Sequence, residues 1–458
     1  MQRIFTAFLS AFLPFLLLCA AGLASAAEEI RLWHGLSGAA GAELDRLVAR
    51  YNASQKEYRV VSFFVGPYDE VLANDIELRK GTRRSPHIVQ VQDAGTADML
   101  RSGRARALWQ LMQESRPKPR QKSRLKPQPA VEAQYLPAVA AYFSDAEGRL
   151  LALPFTAATP VLYYNRDAFR EAVLDPDLPP KTWYEVAKTL GVLVESGQSC
   201  GLTTAWQSWV LVENMSAWHN QRFATHGNGM SAGTGNGLAS GAGRSEARLA
   251  FNTRLMVRWV SMLSSWHKAG YFSYSGRKDE AEARFASGEC AMLTSSSAAD
   301  ARLRRRAGFD MGVAQLPYYD DFDEAPQNTL AGGSALWVLA GASAGQYRGV
   351  ASFFSYLSRP QVQAEWQQRT GNLPLTTAAY ELARKQGFYE THPGQEIAVR
   401  QLLTKPTGDS GGIRLGGLRQ IRGIIDEELE SVWNDRKTPL DALNAAVQRG
   451  NLFLETAR

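Results

Sequence analysis

Between residues 30 and 101 the chain switches repeatedly between two hydrophobic rhythms. Ile30 to His34 reads as a strand. Leu44, Leu47, Val48 and Tyr51 then recur at i, i+3, i+4 and i+7, which predicts a helix with one apolar face. Tyr58 to Val65 is a second strand, Tyr68 to Lys80 a second helix and His87 to Val91 a third strand, and Gly95 to Arg101 opens a further helix. This alternation predicts an α/β fold, a parallel sheet covered by helices on both faces. Ligands in such folds sit beyond the C-terminal ends of the strands. His34-Gly35, Gly66-Pro67-Tyr68 and Gln92-Asp93-Ala94 fall there.

Further on the punctuation changes. Pro154 and Pro160 bracket a stretch that cannot be helical, and the β-rich run Val161 to Tyr164 follows. Asn165-Arg166-Asp167 turns into an amphipathic helix. Pro179-Pro180 leads to Thr182, a predicted N-cap with Glu185 three residues on, as in a capping box. Gly333 to Leu339 is a strand, Tyr347 to Leu357 a helix, and Arg359-Pro360 breaks it. A glycine-rich loop, Gly411 to Gly417, precedes a helix from about Gln420 to Trp433, with Ile421, Ile425, Leu429 and Val432 on its apolar face. There is no internal repeat.

At 458 residues the chain can bury two or three full cores, and 45% hydrophobic with 21% charged content excludes a disordered one. The net charge of +6 is modest. Much of it could come from the run Arg116 to Lys126, which has no aromatics between its charges and reads as a solvated insertion, not a nucleic-acid surface. Gly227 to Gly243 is a low-complexity stretch that reads as a flexible loop. Gly227-Asn228-Gly229 with Ala232 loosely matches a dinucleotide fingerprint, but no strand precedes it. Arg3, the apolar run Ile4 to Leu18 and Ala24-Ser25-Ala26 mark residues 1–26 as a secretory signal peptide. Cys19 raises a lipoprotein alternative, weakened by Leu18 before it. The expected product is soluble and exported. Cys200 and Cys290 then remain, as a disulfide or as two buried thiols.

Three kinds of site are open to these residues. Gly341-Ala342-Ser343-Ala344-Gly345 spells a nucleophile elbow between a strand and a helix, with His392 the only histidine after Ser343. The six histidines show no metal-ligand spacing, and no phosphate-binding P-loop occurs, so no metal or cofactor is expected. Trp206, Trp209 and Trp218 cluster, and Trp206-Gln207-Ser208-Trp209 leaves a strand end, where a flat ring suits a small polyol. Arg414, Arg419 and Arg422 flank the glycine-rich loop and a helix N-terminus, where an anion would be favoured.

Several dispersed segments carry a resemblance: Phe155 to Trp183, Trp206 to Trp218, Tyr274 to Asp279, Gly288 to Met292, Ala325 to Asn328, Gly332-Gly333, Gly387 to Glu390, and Gln420-Ile421-Arg422 through Trp433. In this order they resemble the glycerol-3-phosphate binders among the solute-binding proteins of bacterial ABC importers, the family that includes maltose-binding protein. The resemblance implies two α/β lobes hinged by crossover strands, with a first lobe of 27–157 plus 317–357 and a second of 158–316 plus 358–458. It implies a ligand site of Tyr68, Asp93, Trp206, Ser296, Gly333 and Arg422. Arg422 would take a phosphate with Ser296 and the Gly333 amide, and Asp93 would take glycerol hydroxyls. Three positions depart from the family pattern: Asp93 stands for a longer glutamate, Ala158 for a serine and Asn372 for a tyrosine. Two phosphate donors are thereby lost or changed, which favours glycerophosphodiesters such as glycerophosphocholine at least as much as glycerol-3-phosphate. The implied molecule is a periplasmic monomer without catalysis or cofactor, handing a small phosphate ester to a permease with a separate ATPase. An oligosaccharide binder, or a secreted serine hydrolase using Ser343, are the alternatives.

Overall fold

The computed structural model describes residues 27–66, 85–115, 135–230, 247–403 and 408–456. The expected signal peptide, Tyr68 with its helix, the basic run at 116–126 and residues 231–243 of the glycine-rich stretch lie outside the described residues.

Two sheets organise the chain. The first holds six strands: β1 (Glu28–His34), β2 (Tyr58–Phe64), β3 (Ile88–Gln92), β4 (Ala105–Arg106), β5 (Leu153–Ala158) and β11 (Gly332–Leu339). The second holds five: β6 (Pro160–Asn165), β7 (Cys200–Thr204), β8 (Phe272–Ser273), β9 (Cys290–Ser296) and β10 (Met311–Ala314). The expected parallel ladder exists for β1 with β2 and with β3. The sheet as a whole is mixed, because β11 enters antiparallel against β3, β4 and β5. The second sheet is mixed too, with β6 antiparallel to β9 and β10.

The helices follow from their local chemistry. α1 (Gly38–Ser54) buries Leu44, Leu47, Val48 and Tyr51 on the face their spacing requires. α2 (Thr96–Arg101) follows a tight turn at Asp93–Gly95. α3 (Pro137–Tyr142) starts on proline, whose missing N–H costs nothing there. The Asn165 side chain caps α4 (Arg166–Glu171), and Thr182 with Glu185 forms the expected capping box on α5 (Trp183–Glu195). α6 (Ala344–Leu357) ends before Pro360 opens α7 (Pro360–Thr370). α8 (Leu418–Trp433) buries Ile421, Ile425, Leu429 and Val432.

Two placements differ from the lobe limits read in the sequence. α7 packs on the first lobe: Trp366 stacks on Phe155 at 4.5 Å between ring centroids, and Glu365 pairs with Arg46 and Arg50. Tyr319 instead joins the tryptophan cluster of the second lobe, edge-on to Trp259 at 6.3 Å. Helices reunite with whichever apolar face they complete, wherever the chain crosses over.

Cys200 and Cys290 are register partners on the neighbouring parallel strands β7 and β9, and the structure joins them as a disulfide.

Candidate functional site

The two sheets meet through a pair of antiparallel crossovers. β5 leaves the first sheet at Ala158 and β6 begins at Pro160, while the incoming chain reaches Gly332 opposite Ala158. Between them the hydroxyls of Thr159 and Thr329 bond to each other. The Thr159 amide also donates to Ser297 Oγ at 3.1 Å, and the Ser297 amide donates to the Thr159 carbonyl at 2.8 Å. Proline on either side keeps this link extended.

Most of the candidate site residues converge here. Gly333 pairs with Ala157 and precedes Ser334, the partner of Gln92, so it lies beside Asp93. Gly333 has φ +149°, and a Cβ there would sit 2.1 Å from the Thr156 carbonyl oxygen. Ser296 closes β9 opposite Pro160, and its Oγ accepts from the Ala298 amide at 3.3 Å. Asn372 is tied in by its neighbour, the Leu373 amide donating to the Ala157 carbonyl at 2.8 Å. Trp206, at φ +53°, follows β7 and leads into a π-helix, Ser208–Asn214. A polar chain supports the floor: Gln90 donates to Ser334 at 2.8 Å, and Ser334 bonds Thr156 at 2.7 Å.

Arg422 crosses between the lobes. Its Nε donates to Glu213 Oε1 at 2.6 Å, and its Nη2 donates to Glu213 Oε2 at 2.8 Å and to Asp93 Oδ2 at 3.2 Å. Asp93 and Glu213 are 4% and 0% exposed, whereas the Arg422 side chain keeps 19%, and its hydrogen bonds to the described residues use Nε and Nη2, not Nη1. Burial raises the Glu213 carboxyl above its ordinary range, opposed by Arg422; burial likewise works against the Arg422 cation, but Glu213 and Asp93 outweigh it and hold it charged.

Around this trio lie buried groups with hydrogen-bonding capacity to spare. The Tyr142 hydroxyl and Trp209 Nε1 have no hydrogen-bond partner among the described residues. Burial, then the charges of Asp93 and Glu213, push the Tyr142 phenol well up. The Trp209 indole covers Gly332, where a Cβ would come 2.8 Å from its ring. One turn along α8 from Arg422, Asp426 is buried with Oδ1 unpartnered. Burial pushes its carboxyl up to about 7 against the pull of Arg277.

Residues 88–393 match the profile of bacterial extracellular solute-binding proteins. The chain belongs to this family. It is 43% identical over 434 residues to the sn-glycerol-3-phosphate-binding periplasmic protein UgpB of Yersinia enterocolitica, covering 94% of this chain and 93% of that one. UgpB of Escherichia coli O6:K15:H31 matches at 43% over 433 residues, with 94% and 93% covered. Among solved structures, UgpB from Mycobacterium tuberculosis in complex with glycerophosphocholine superposes with a TM-score of 0.72 at 22% identity, covering 94% and 99% of the two chains. The cyclic α-maltosyl-1,6-maltose binding protein of Arthrobacter globiformis gives 0.73 at 20%, covering 94% and 100%. The two-lobed flytrap fold is thereby established.

Within this solute-binding protein, several residues singled out in the sequence do other work. Arg414 donates through Nη2 to the carbonyls of Tyr142 and Ser144, at 3.0 and 2.8 Å, so it anchors the glycine-rich loop to the first lobe. The N-terminus of α8 is already occupied by a carboxylate, the Gly417 amide donating to Asp98 at 3.0 Å. Ser343 is no nucleophile. Its Oγ accepts from the Gln346 amide at 3.1 Å in a capping box and donates to Glu28 at 2.7 Å. His392 bonds Thr391 on another helix, and among the described residues no cluster of three metal-ligating groups occurs.

Glu213 and Tyr142 are the residues that sequence reasoning passes over. Glu213 had a signal: it is a lone carboxylate following the apolar run Trp209 to Val212, a place where a charge persists only if paired. Tyr142 carries no signal, since buried tyrosines are common in cores.

Proposed function

We propose that this chain is the periplasmic substrate-binding component of an ABC importer, taking sn-glycerol-3-phosphate or a glycerophosphodiester such as glycerophosphocholine. The observation that carries the reading is the guanidinium of Arg422, held between Asp93 and Glu213 at the lobe junction with Nη1 unused among the described residues. The ligand named for the 43%-identical relatives supports the same chemistry. Arg422 takes the phosphate through Nη1, and Ser296 and the Gly333 backbone stand on the opposite walls. Asp93 keeps a second oxygen for a glycerol hydroxyl, and Trp206 walls the cleft. Each hydrogen bond to a charged group contributes about 1.5–3 kcal/mol, and more as closing lobes expel water. Ligand selects the closed form rather than folding the chain, and the closed surface is what the permease subunits and their ATPase engage.

Calorimetry of the mature chain with sn-glycerol-3-phosphate and glycerophosphocholine tests this, with small-angle scattering to follow compaction. Saturable binding of at least one ester, lost in Arg422→Ala, is expected. No heat and no compaction with either ester at millimolar concentration would overturn the assignment.

A further inference from the structure

Arg422 has five N–H donors in a rigid fork. Three are spent inside the protein: Nε–H and one Nη2–H on Glu213, the other Nη2–H on Asp93. Both Glu213 oxygens accept from the same guanidinium, at 2.6 and 2.8 Å, which is the geometry of an ionised carboxylate in a bidentate pair. Glu213 comes from the π-helix, Asp93 from the turn after β3 and Arg422 from α8, so the pairing is fixed by three separate elements. Tyr142, from α3, adds a neutral hydroxyl. The trio therefore carries two negative charges against one positive, and two donors, both on Nη1, remain for a ligand.

We propose that Glu213 is the residue that sets the charge a ligand can bring, admitting a phosphodiester monoanion and discriminating against a phosphomonoester dianion. Resting on the functional reading above, this identifies the ligand class by chemistry. A diester offers two terminal oxygens and a single charge to two remaining donors. A monoester brings roughly −1.5 to −2 near neutral pH and three terminal oxygens. Its extra charge falls on a site that is already net negative and poorly screened by water. Glu213 thus acts through Arg422, as a positioning and charge-setting residue, without touching the ligand.

The experiment measures affinity for sn-glycerol-3-phosphate and glycerophosphocholine in the wild type and in Glu213→Gln, which keeps the shape and removes the charge. The monoester-to-diester affinity ratio should rise about tenfold or more in the variant. The wild type supplies an independent arm. As pH falls through the second ionisation of the monoester, near 6, its affinity relative to the diester should climb about tenfold. Asp426 titrates in the same window, and its charge also weighs more on a dianion than on a monoanion, so the profile is repeated in Asp426→Asn, where the climb should persist. If Glu213→Gln does not fold, this pH profile alone decides. A ratio within twofold of wild type in Glu213→Gln, or a flat wild-type ratio across pH, would overturn the role of Glu213 while leaving the importer reading intact. Loss of both ligands from the wild type would overturn the two together.

Discussion

Asp426 is a buried acid whose release from desolvation can be measured. Its side chain sits on α8 with Oδ1 unpartnered, beside Gln207, whose Nε2 points to the Asp426 carbonyl at 3.4 Å and whose Oε1 accepts from Trp433 Nε1 at 3.1 Å. Burial lifts the carboxyl from an ordinary 3.8 to about 7. A folded-state value above the unfolded one means that the native state binds the extra proton between these two limits. Stability from this group is therefore complete below about pH 3.8 and declines as pH rises through 7. At about 1.4 kcal/mol per pH unit, the gap amounts to on the order of 4 kcal/mol, of which about 2.5 falls between about pH 5 and pH 8. Asp426→Asn keeps the volume and removes the titration. Urea unfolding of the ligand-free mature chain across that range should show the wild type losing stability relative to the variant by about that amount. Parallel profiles for the two proteins would refute the reasoning and would mean that Asp426 is ionised and solvated in the native state.

Three further outcomes follow from named contacts. Gly333→Ala should cost about 2–4 kcal/mol in urea unfolding, because φ is +149° and the added Cβ meets the Thr156 carbonyl oxygen at 2.1 Å; a wild-type midpoint would contradict the close approach. Unreduced, denatured mature protein should titrate with no free thiol, and reduction of a bridge closing 90 residues of chain should destabilise it by about 2–5 kcal/mol. Ser343→Ala should lower stability by about 1 kcal/mol through loss of the cap on α6, with ligand affinity unchanged and no fluorophosphonate labelling of the parent protein.

Much of the fold is legible in the chain because its signals are local. The i, i+3, i+4, i+7 spacing of Leu44, Leu47, Val48 and Tyr51, and the reciprocal cap of Thr182 and Glu185, need only neighbouring residues. The direction of β11 does not have that property, since an antiparallel strand and a parallel one bury the same side chains. The site divides in the same way. Asp93, Gly333, Ser296 and Arg422 stand in recognisable segments, and strand register brings the first three together near the crossovers. The partner of Arg422 is different: Glu213 lies 209 positions away, and only tertiary packing reveals it. Arg414 shows the converse, an arginine beside a glycine-rich loop whose Nη2 is turned onto the backbone carbonyls of Tyr142 and Ser144.

The late arrival of β11 bears on how this molecule comes into being on the ribosome. β3, β4 and β5 all lie in the first part of the chain, yet β4 and β5 find their ladder partner, and β3 its second one, only in residues 332–339. Until that segment has been synthesised, the first sheet stops at β3 and its edge stays open, with Val89 and Val91 unable to bury against Trp337 and Ala335. Long-range pairing of this kind slows folding. Nascent chains shorter than about this point hold no finished first lobe, whereas the second sheet, whose strands all lie between residues 160 and 314, already has every partner it needs.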